Sequence, residues 1–378
     1  MPKPALKGAK TRTADKPHNT PWVRIARRPT IPRRQAWLIR ISAIVAALIC
    51  GALLIAILGH NPFHVYADMA SGALATATSR AATVKIAIPL LVAALSVALS
   101  FKMRFWNIGA EGQILAGGIA ATYFALFWAG SLPSWLLLLA MGAAGCVGGA
   151  IWGAIPAFFK AKWNTNETLL TLMLNYVALG LVKYLAAGPW KKGGPGSFPK
   201  IAMFSKEARL PEIFDVHIGW IIAIVLLVLY FIYLTRSKHG YETIVVGQST
   251  NTAKYSGMSV PRVLIRTMLL AGAAAGLAGF MQVSGADYTL NEMTAGGVGF
   301  TAITVAWLGQ LKPLPMLGVA FFIAILEKGA SRIQTTFAIP ASASDVLVGG
   351  ILFFMLACEF FINYRLIFRP AVEVDSHD

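Results

Sequence analysis

Long apolar runs separated by short polar segments recur along the chain from residue 37 onward. A membrane-crossing helix needs about 20 mostly apolar residues, and most of these runs approach that length. The runs at 297–308 and 313–326 are shorter, which indicates tilted, re-entrant or broken helices. The pattern predicts an all-α polytopic membrane protein with roughly 8–10 transmembrane helices. The predicted spans are 37–58, 82–100, 108–128, 135–155, 169–187, 218–234, 263–283, 297–308, 313–326 and 345–361.

Basic residues fix the orientation of these spans. Cytoplasmic loops carry an excess of Lys and Arg, and an even number of spans starting inside the cell makes both termini cytoplasmic. The loop around residues 60–80 and the longer segment 188–217 then face the exterior. The basic residues assigned to the cytoplasm are Lys102, Arg104, Lys160, Lys162, Lys312, Arg365, Arg369 and those within 236–262.

Composition supports this class and excludes others. The mean hydropathy is +0.64 and 13% of residues are charged, against about 25% in ordinary soluble domains. The net charge of +17 does not indicate a nucleic-acid partner, because the positive residues lie in short loops and in the first forty residues. Residues 1–36 are predicted to be a basic, mostly disordered cytoplasmic tail, 37–364 the transmembrane domain and 365–378 a second tail. The three Cys and six His show no metal-ligand spacing, so no metal or cofactor is expected.

Polar residues inside predicted spans are the candidates for function. The segment RFWNIGAEGQILAGG, residues 104–118, places Glu111 between Asn107 and Gln113, and Asn175 lies within a later apolar run. An ionised acid in hydrocarbon requires a partner, a wet cavity or a neutral form, so it marks a functional site by default. A polar helix entry held by helix packing is the structural alternative.

Three further features have structural interpretations. Glycines at four-residue spacing, at 145, 149 and 153 and again at 272 and 276, predict closely packed helices. Thr165 or Asn166 is placed to cap a helix whose positive end suits Glu167. The polar stretch 240–262 is long for a helix connection and predicts a short amphipathic helix on the membrane face, suited to docking a soluble partner. A plain loop is the alternative.

Five sequence words occur in a fixed order: NIGAEGQ, NETLLTLMLNY, VGQSTNTAKYSGMSVPR, AGAAAGLAG and AGGVGFTAITVAWLG. Together they resemble the membrane permeases of bacterial ABC importers for simple sugars, branched-chain amino acids and nucleosides, over about residues 89–361. The first word and TLMLNY are most similar to the nucleoside-type branch, whose partner is a basic-membrane-protein lipoprotein. The basic N-terminal extension lies outside the resemblance.

The resemblance implies roles for particular residues. Segment 248–260 matches the cytoplasmic coupling loop of the family, within a loop spanning about 240–262. Thr252 stands where relatives commonly have Ala, a mild departure that bears on which partner binds. The residues expected to contact the ATP-binding subunit are Gln248, Asn251, Ala253, Tyr255 and Gly257. The residues expected around the translocation pathway are Asn107, Glu111, Gln113 and Asn175.

The resemblance also implies the function and its partners. We expect a permease subunit of an ATP-driven importer in the bacterial cytoplasmic (inner) membrane, for nucleosides, with sugars or other small solutes as the alternative. The expected partners are an ATP-binding subunit, a second permease subunit in a homodimer or heterodimer, and a solute-binding lipoprotein that docks on external loops including 188–217. The chain has no Gly-Lys dipeptide and hence no phosphate-binding GxxxxGK[ST] loop, so we expect it to have no ATPase site of its own.

A secondary transporter is the alternative from another class. In that case Glu111, together with Lys85, binds a coupling ion or proton near the middle of the membrane, among broken Gly-rich helices such as 296–309. The acids are few and lie near predicted helix ends, and a long central cytoplasmic loop has no use in such a transporter. Both features favour the importer.

Overall fold

The computed structural model describes residues 23–27, 32–193 and 197–368, and this part of the chain is almost entirely helical. The helices before the external loop are α1 (Arg33–Ile57), α2 (Pro62–Leu74), α3 (Ala77–Lys102), α4 (Ala110–Phe127), α5 (Ser134–Trp163) and α6 (Glu167–Ala187). Those after it are α7 (Gly219–Arg236), α8 (Lys238–Gln248), α9 (Thr250–Tyr255), α10 (Val260–Gln282), α11 (Val298–Leu308), α12 (Pro313–Thr336) and α13 (Ala341–Asn363). The short elements are a 3₁₀ turn (Lys206–Ala208), a π-helical turn (Val283–Asp287) and strands β1 (Val23–Arg27), β2 (Glu212–Ile213), β3 (Val216–His217) and β4 (Tyr364–Phe368).

Seven of the described helices are long and apolar enough to cross a membrane, namely α3, α5, α6, α7, α10, α12 and α13. An eighth span is possible if α1 and α2, which meet at a bend of 111°, together form one. The all-α polytopic class is confirmed, with fewer full-length spans than the ten ranges drawn from the sequence. The range 108–128 forms the 18-residue α4, whose first turn contains Glu111, and the range 297–308 forms the 11-residue α11, about 16 Å long.

α3 lies at the centre of the fold. It packs against α7, α10, α11 and α12, and 78% of its most apolar window is buried. A helix that is apolar on all sides is suited to such a position, because no face has to meet water. Its buried hydroxyl side chains bond backbone carbonyls, as when Ser96 Oγ donates to the carbonyl of Ala271 in α10 (2.6 Å).

Glycines hold α10 against α5 and α4. The backbone of Gly272 contacts that of Gly149, and a Cβ added at Gly149 would lie 2.6 Å from the Cα of Gly276. Gly145 faces the carbonyl of Gly276, and Gly117 of α4 contacts the same residue. The close packing predicted from the glycine spacing is confirmed, and its two ladders face each other. In lipid, where burial adds little, such close approach is what associates helices.

The two ends of the described chain lie together. β1 pairs antiparallel with β4, with Val23 opposite Phe368 and Arg27 opposite Tyr364. Both ends of the described chain therefore lie on the same face of the protein. Ordered structure begins within the predicted tail, since β1 and the start of α1 at Arg33 precede residue 37. The rest of the two predicted tails, residues 1–22, 28–31 and 369–378, lies outside the described residues.

Candidate functional site

The segment between α3 and α4 ends in a buried amide pair. Asn107 Oδ1 accepts the backbone N–H of Gly109 (3.0 Å), which prepares the turn into α4. Asn107 Nδ2 donates to Gln113 Oε1, and Gln113 Nε2 donates to Asn107 Oδ1 (3.3 Å each). Both side chains are buried, so each satisfies the other where water is excluded.

Asn175 joins α6 to the same turn. Its Oδ1 accepts the backbone N–H of Gly112 (2.8 Å), and its Nδ2 donates to the carbonyl of Ile108 (2.9 Å). Thr171, one helical turn earlier, accepts the N–H of Ile108 through Oγ1 (3.2 Å). These bonds satisfy backbone groups that a helix start leaves without intrahelical partners.

Glu111 connects two separate helices. Its Oε1 accepts the backbone N–H of Gly297 and its Oε2 that of Gly299, both at 2.7 Å. These amides form the N-terminus of α11, where the helix dipole favours an anion. Gly297 is in the left-handed region (φ +83°), a conformation that glycine adopts without strain. The carboxylate thus fastens the start of α4 to the start of α11.

This polar cluster lies deep within the helical bundle. Gln113 lies against Gly153, which precedes the end of α5 at Trp163 by about 15 Å of helix. The cluster therefore lies inside the helical bundle, where α4 and α11 begin.

An exposed aromatic stack, which the sequence alone does not identify, adjoins the cluster. Trp106, next to Asn107, stacks on Trp307 of α11 with ring centroids 5.8 Å apart and planes 28° apart. Phe101 contacts both rings, and Arg104 lines a cavity of about 220 Å³ with them. Trp106 directly precedes the NIGAEGQ segment, but only the fold brings Trp307 to it.

The cytoplasmic stretch 240–262 contains two helices. Ser237 caps α8 by accepting the N–H of Gly240 (2.9 Å), and Ser249 caps α9 by accepting the N–H of Thr252 (3.2 Å). Gly257, at φ +75°, turns the chain into α10, and no atom lies near the position of its absent Cβ. The prediction of a short helix here is confirmed, and the plain loop is excluded.

One face of α9 is buried and the other is exposed. Ala253 is fully buried in a cluster with Met103, Phe105 and Val246, so its side chain contacts only this chain. The ring of Tyr255 is 94% exposed. The other residues expected to meet a partner, Gln248, Asn251 and Gly257, are exposed.

An ion pair and a hydroxyl pair attach α8 to α10. Arg266 Nη2 donates to Glu242 Oε2 (2.9 Å) and to the carbonyl of His239 (3.2 Å). The hydrogen bond from Arg266 lowers the pKa of Glu242 below its usual range, so the carboxylate is charged at neutral pH. At the next residue of each helix, the hydroxyls of Thr243 and Thr267 form a buried hydrogen bond (3.1 Å). We call α8 and α9 the cytoplasmic hairpin.

The residues before α6 have the structural role that the sequence predicts. Asn166 caps α6 by accepting the N–H groups of Thr168 and Leu169 (3.0 and 3.2 Å). Glu167 lies in the first turn and pairs with Lys160 (2.9 Å). Asn166 and Glu167 thus act at the start of α6, whereas Thr171 and Asn175 of the same segment reach the cluster.

The segment 188–217, which the sequence predicts to be external, packs on the C-terminal end of α10. The N–H of Phe204 donates to the carbonyl of Tyr288 (2.7 Å), and the N–H of Leu210 donates to the carbonyl of Ser284 (3.0 Å). Lys85 of α3 pairs with Glu212 (2.7 Å), which lowers the pKa of that carboxyl. Lys85 is thus engaged at the outer surface and not with Glu111, contrary to the pairing considered for a secondary transporter.

His217 completes this outer contact. It lies against Gly285 and accepts the N–H of Gly219 through Nδ1 (3.2 Å). Burial lowers the pKa of its imidazole to about 4, so the ring is neutral at physiological pH. Within the described residues, no group of three or more His, Cys, Asp or Glu side chains is arranged to hold a metal ion.

Comparison with known proteins identifies the family. The model of the permease component of branched-chain amino acid transport systems matches residues 79–356. The chain belongs to this family.

Three relatives match the permease over most of its length. The glucose ABC transporter permease protein TsgB13 of Haloferax volcanii is 34% identical, and the alignment covers 90% of this chain and 92% of the relative. The nucleoside ABC transporter permease protein NupB of Lactococcus lactis subsp. cremoris is 33% identical, spanning 90% and 95%. The guanosine ABC transporter permease protein NupP of Bacillus subtilis is 30% identical, spanning 86% and 94%.

The protein is therefore a multi-pass permease of an ABC importer in the cytoplasmic membrane. Membership of the family implies an ATP-binding subunit and a solute-binding protein.

The structure gathers the four polar residues drawn from the sequence into one cluster, in which each bonds backbone or another member of the set. Gly297 and Gly299 complete that cluster. The Gly-rich opening of a short apolar run is the only sequence signal for them.

Proposed function

We propose that the permease imports nucleosides by alternating access, driven by ATP hydrolysis in a separate subunit that docks on the cytoplasmic hairpin. The proposal rests mainly on the two faces of the cytoplasmic hairpin, of which one packs on this chain and the other is exposed. Its inner face is fixed to this chain through Ala253, and its outer face presents Tyr255 to the cytoplasm. The Glu242–Arg266 ion pair ties it to α10, so a push on the hairpin reaches a membrane helix.

In this mechanism the loaded binding protein docks on the external loops, including 188–217, and ATP binding moves the hairpin. The energy available is the difference in affinity of ATP for the two states, which the hairpin makes available to the helices. The helices then reorient around the polar cluster of Asn107, Glu111, Gln113 and Asn175. Broken helices that begin at mid-membrane are a common way to build a solute path, because their free backbone groups lie where the solute passes.

The choice of nucleosides rests on the relatives and on the motifs. NupB is named for nucleosides and NupP for guanosine, and each aligns with most of this chain. The segments NIGAEGQ and TLMLNY are similar to that branch. The exposed Trp106–Trp307 stack offers flat apolar surface of the kind on which a nucleobase stacks.

Sugar import is the second candidate, because TsgB13 is named for glucose and aligns equally well. Aromatic faces also accommodate the apolar faces of sugars, so the stack does not separate the two solutes. The external binding protein carries much of the selectivity in either case.

The permease itself does not hydrolyse ATP in this proposal. It works with an ATP-binding subunit, a second permease subunit, either a copy of itself or a related chain, and an external solute-binding lipoprotein. The absence of a Gly-Lys dipeptide from the sequence supports this division of labour.

Reconstitution in vesicles tests the proposal. Vesicles holding the permease, its ATP-binding subunit and enclosed ATP are supplied with the binding protein and radiolabelled uridine, guanosine or glucose. Nucleoside uptake that requires all three proteins and ATP is the expected result. Glucose uptake in its place would select the sugar alternative. Uptake by the permease alone, driven by a proton or sodium gradient, would replace the importer with a secondary transporter.

A further inference from the structure

α10 reaches both faces of the permease. With the π-helical turn that continues it, it runs from Val260 to Asp287, about 40 Å of helix and longer than the bilayer core is thick. Its first residues follow directly from the cytoplasmic hairpin, and its last turn lies under the external segment 188–217. The two surfaces assigned to soluble partners therefore meet opposite ends of one helix.

The outer end is held by a set of specific contacts. Ser284 Oγ donates to the carbonyl of Ala208 (3.0 Å), while the Ser284 carbonyl accepts the N–H of Leu210 (3.0 Å). The guanidinium of Arg209 lies over the ring of Tyr288, 4.7 Å from its centroid, and donates to the carbonyl of Phe204 (2.9 and 3.1 Å). Any displacement of the segment 204–210 is thus transferred to the end of α10.

The outer end is also irregular. Residues Val283–Asp287 form a π-helical turn, and Tyr288 follows in the left-handed region (φ +54°). Turns of this type are rare and occur often at functional sites. Ser284 lies within this turn.

Close contacts along the middle and at the N-terminal end of α10 restrict its movement relative to α5 and α8. Gly272 and Gly276 contact the backbone of α5, so no side chain is available there to absorb a shift by changing rotamer. At the inner end, Arg266 and Thr267 bond the residues of α8 that support α9. Movement of the outer turn is therefore delivered to the hairpin along a rigid connection.

We propose that α10 carries the docking signal across the membrane, with Arg209, Ser284 and Tyr288 as the positioning residues through which a docked binding protein sets the turnover of the ATP-binding subunit. This inference rests on the proposed function. It adds a physical route, through named residues of α10 and the segment that covers its end, for communication between the two soluble partners. Spatial connection alone does not establish coupling, so the test measures coupling itself.

The experiment compares the whole transporter, with wild-type or variant permease, in lipid nanodiscs. The variant R209Q/S284A removes the guanidinium and the hydroxyl from the outer contact. K183Q, which removes an exposed positive charge on α6 outside the segment 188–217, is the matched control. Three quantities are measured: the basal ATPase rate, the maximal rate with saturating loaded binding protein, and the binding-protein concentration that gives half of the stimulation.

The expected result is a loss of maximal stimulation by about fivefold or more, as a coupling energy at the low end of the usual range predicts. The basal rate and the half-saturating concentration should stay within about twofold of wild type, and K183Q should behave as wild type. Full stimulation in R209Q/S284A would overturn the inference. A raised half-saturating concentration with unchanged maximal rate would also overturn it, because the residues would then belong to the docking surface.

A second variant covers the case in which R209Q/S284A does not assemble. Y288L removes the ring beneath Arg209, whereas Y288F keeps the ring and loses only the hydroxyl contact with Glu212 (3.3 Å). Loss of stimulation in Y288L but not in Y288F supports the route, and equal stimulation in both rejects it. Failure of the proposed function looks different, because the wild-type complex would then show no binding of the ATPase or no stimulation at all.

Discussion

The carboxylate of Glu111 lies 2.7 Å from the backbone nitrogen of Gly299, 188 residues further along the chain. With its partner contact to Gly297, this bond joins the N-termini of α4 and α11 inside the membrane. Hydrogen bonds to a charged group contribute about 1.5–3 kcal/mol each, and more is at stake where water cannot replace them. One side chain therefore fixes the relative position of two broken helices next to the proposed path.

The first prediction concerns this side chain. E111Q keeps one acceptor oxygen and turns an amide NH₂ group toward a backbone N–H, so one of the two bonds is lost and replaced by a repulsive contact. Solute uptake in reconstituted vesicles should fall by about tenfold or more, and the unfolding temperature should fall with it. E292Q makes the same change at an exposed acid paired with Lys183 (3.3 Å), and we expect little effect from it. Wild-type uptake and stability in E111Q would show that the carboxylate is dispensable.

The second prediction concerns the exposed face of α9. The double variant Y255D/G257D places two charges on the surface proposed to dock, without touching the buried Ala253. The ATP-binding subunit should no longer co-purify with the permease, while membrane insertion stays intact. Y364D, the same substitution at an exposed tyrosine of β4 outside the cytoplasmic hairpin, is the control and should retain the subunit. Normal co-purification of the double variant would mean that the partner docks elsewhere.

A third prediction addresses the glycine contact between α5 and α10. In G149A the new Cβ would meet the backbone of Gly276 at 2.6 Å, so the helices must separate. Overpacking of this kind typically costs about 1–3 kcal/mol, which thermal unfolding in detergent detects as a lower midpoint. In G318A the added Cβ meets no atom within 4 Å, and we expect a change within about 0.5 kcal/mol. Equal midpoints for the two variants would contradict the close contact.

The fourth prediction is a pH dependence of stability. The pKa of His217 is about 4 in the folded protein, against 6.5 in the unfolded chain. Because the folded pKa is the lower one, stability is unaffected by this group above pH 6.5 and falls as the pH decreases from 6.5 to 4. The loss is on the order of 3 kcal/mol when the group is fully titrated.

H217N tests the assignment, because its amide oxygen can accept the N–H of Gly219 but does not titrate. The midpoint of thermal unfolding should decrease less in H217N than in the wild type between pH 7.5 and 5. Parallel curves would assign the acid sensitivity to other groups, such as the Lys85–Glu212 pair.

Local signals in the sequence predict much of this fold. Apolar runs locate the helices, Asn166 marks the start of α6, and the glycine spacing predicts the contact of α5 with α10. The polar stretch 240–262 predicts a surface helix, which α9 confirms. Each of these features depends on residues close together in the chain, where period and capping chemistry act directly.

Contacts between distant segments are beyond such signals. Nothing in the sequence around Glu111 points to Gly297 and Gly299, and nothing near Trp106 points to Trp307. Ala253 illustrates the same limit within one helix. It lies between exposed neighbours, and only the packing of Met103 and Phe105 from another segment accounts for its burial.

The central position of α3 has a consequence for biogenesis. Its neighbours α7, α10, α11 and α12 all follow it in the chain, and the last of them ends at Thr336. At about 5–20 residues per second, the ribosome completes them on the order of tens of seconds after Lys102 has been synthesised. During that interval lipid or an insertase must surround a segment that is later enclosed by protein. Because α3 is apolar on every side, it can remain in contact with lipid until the later helices enclose it.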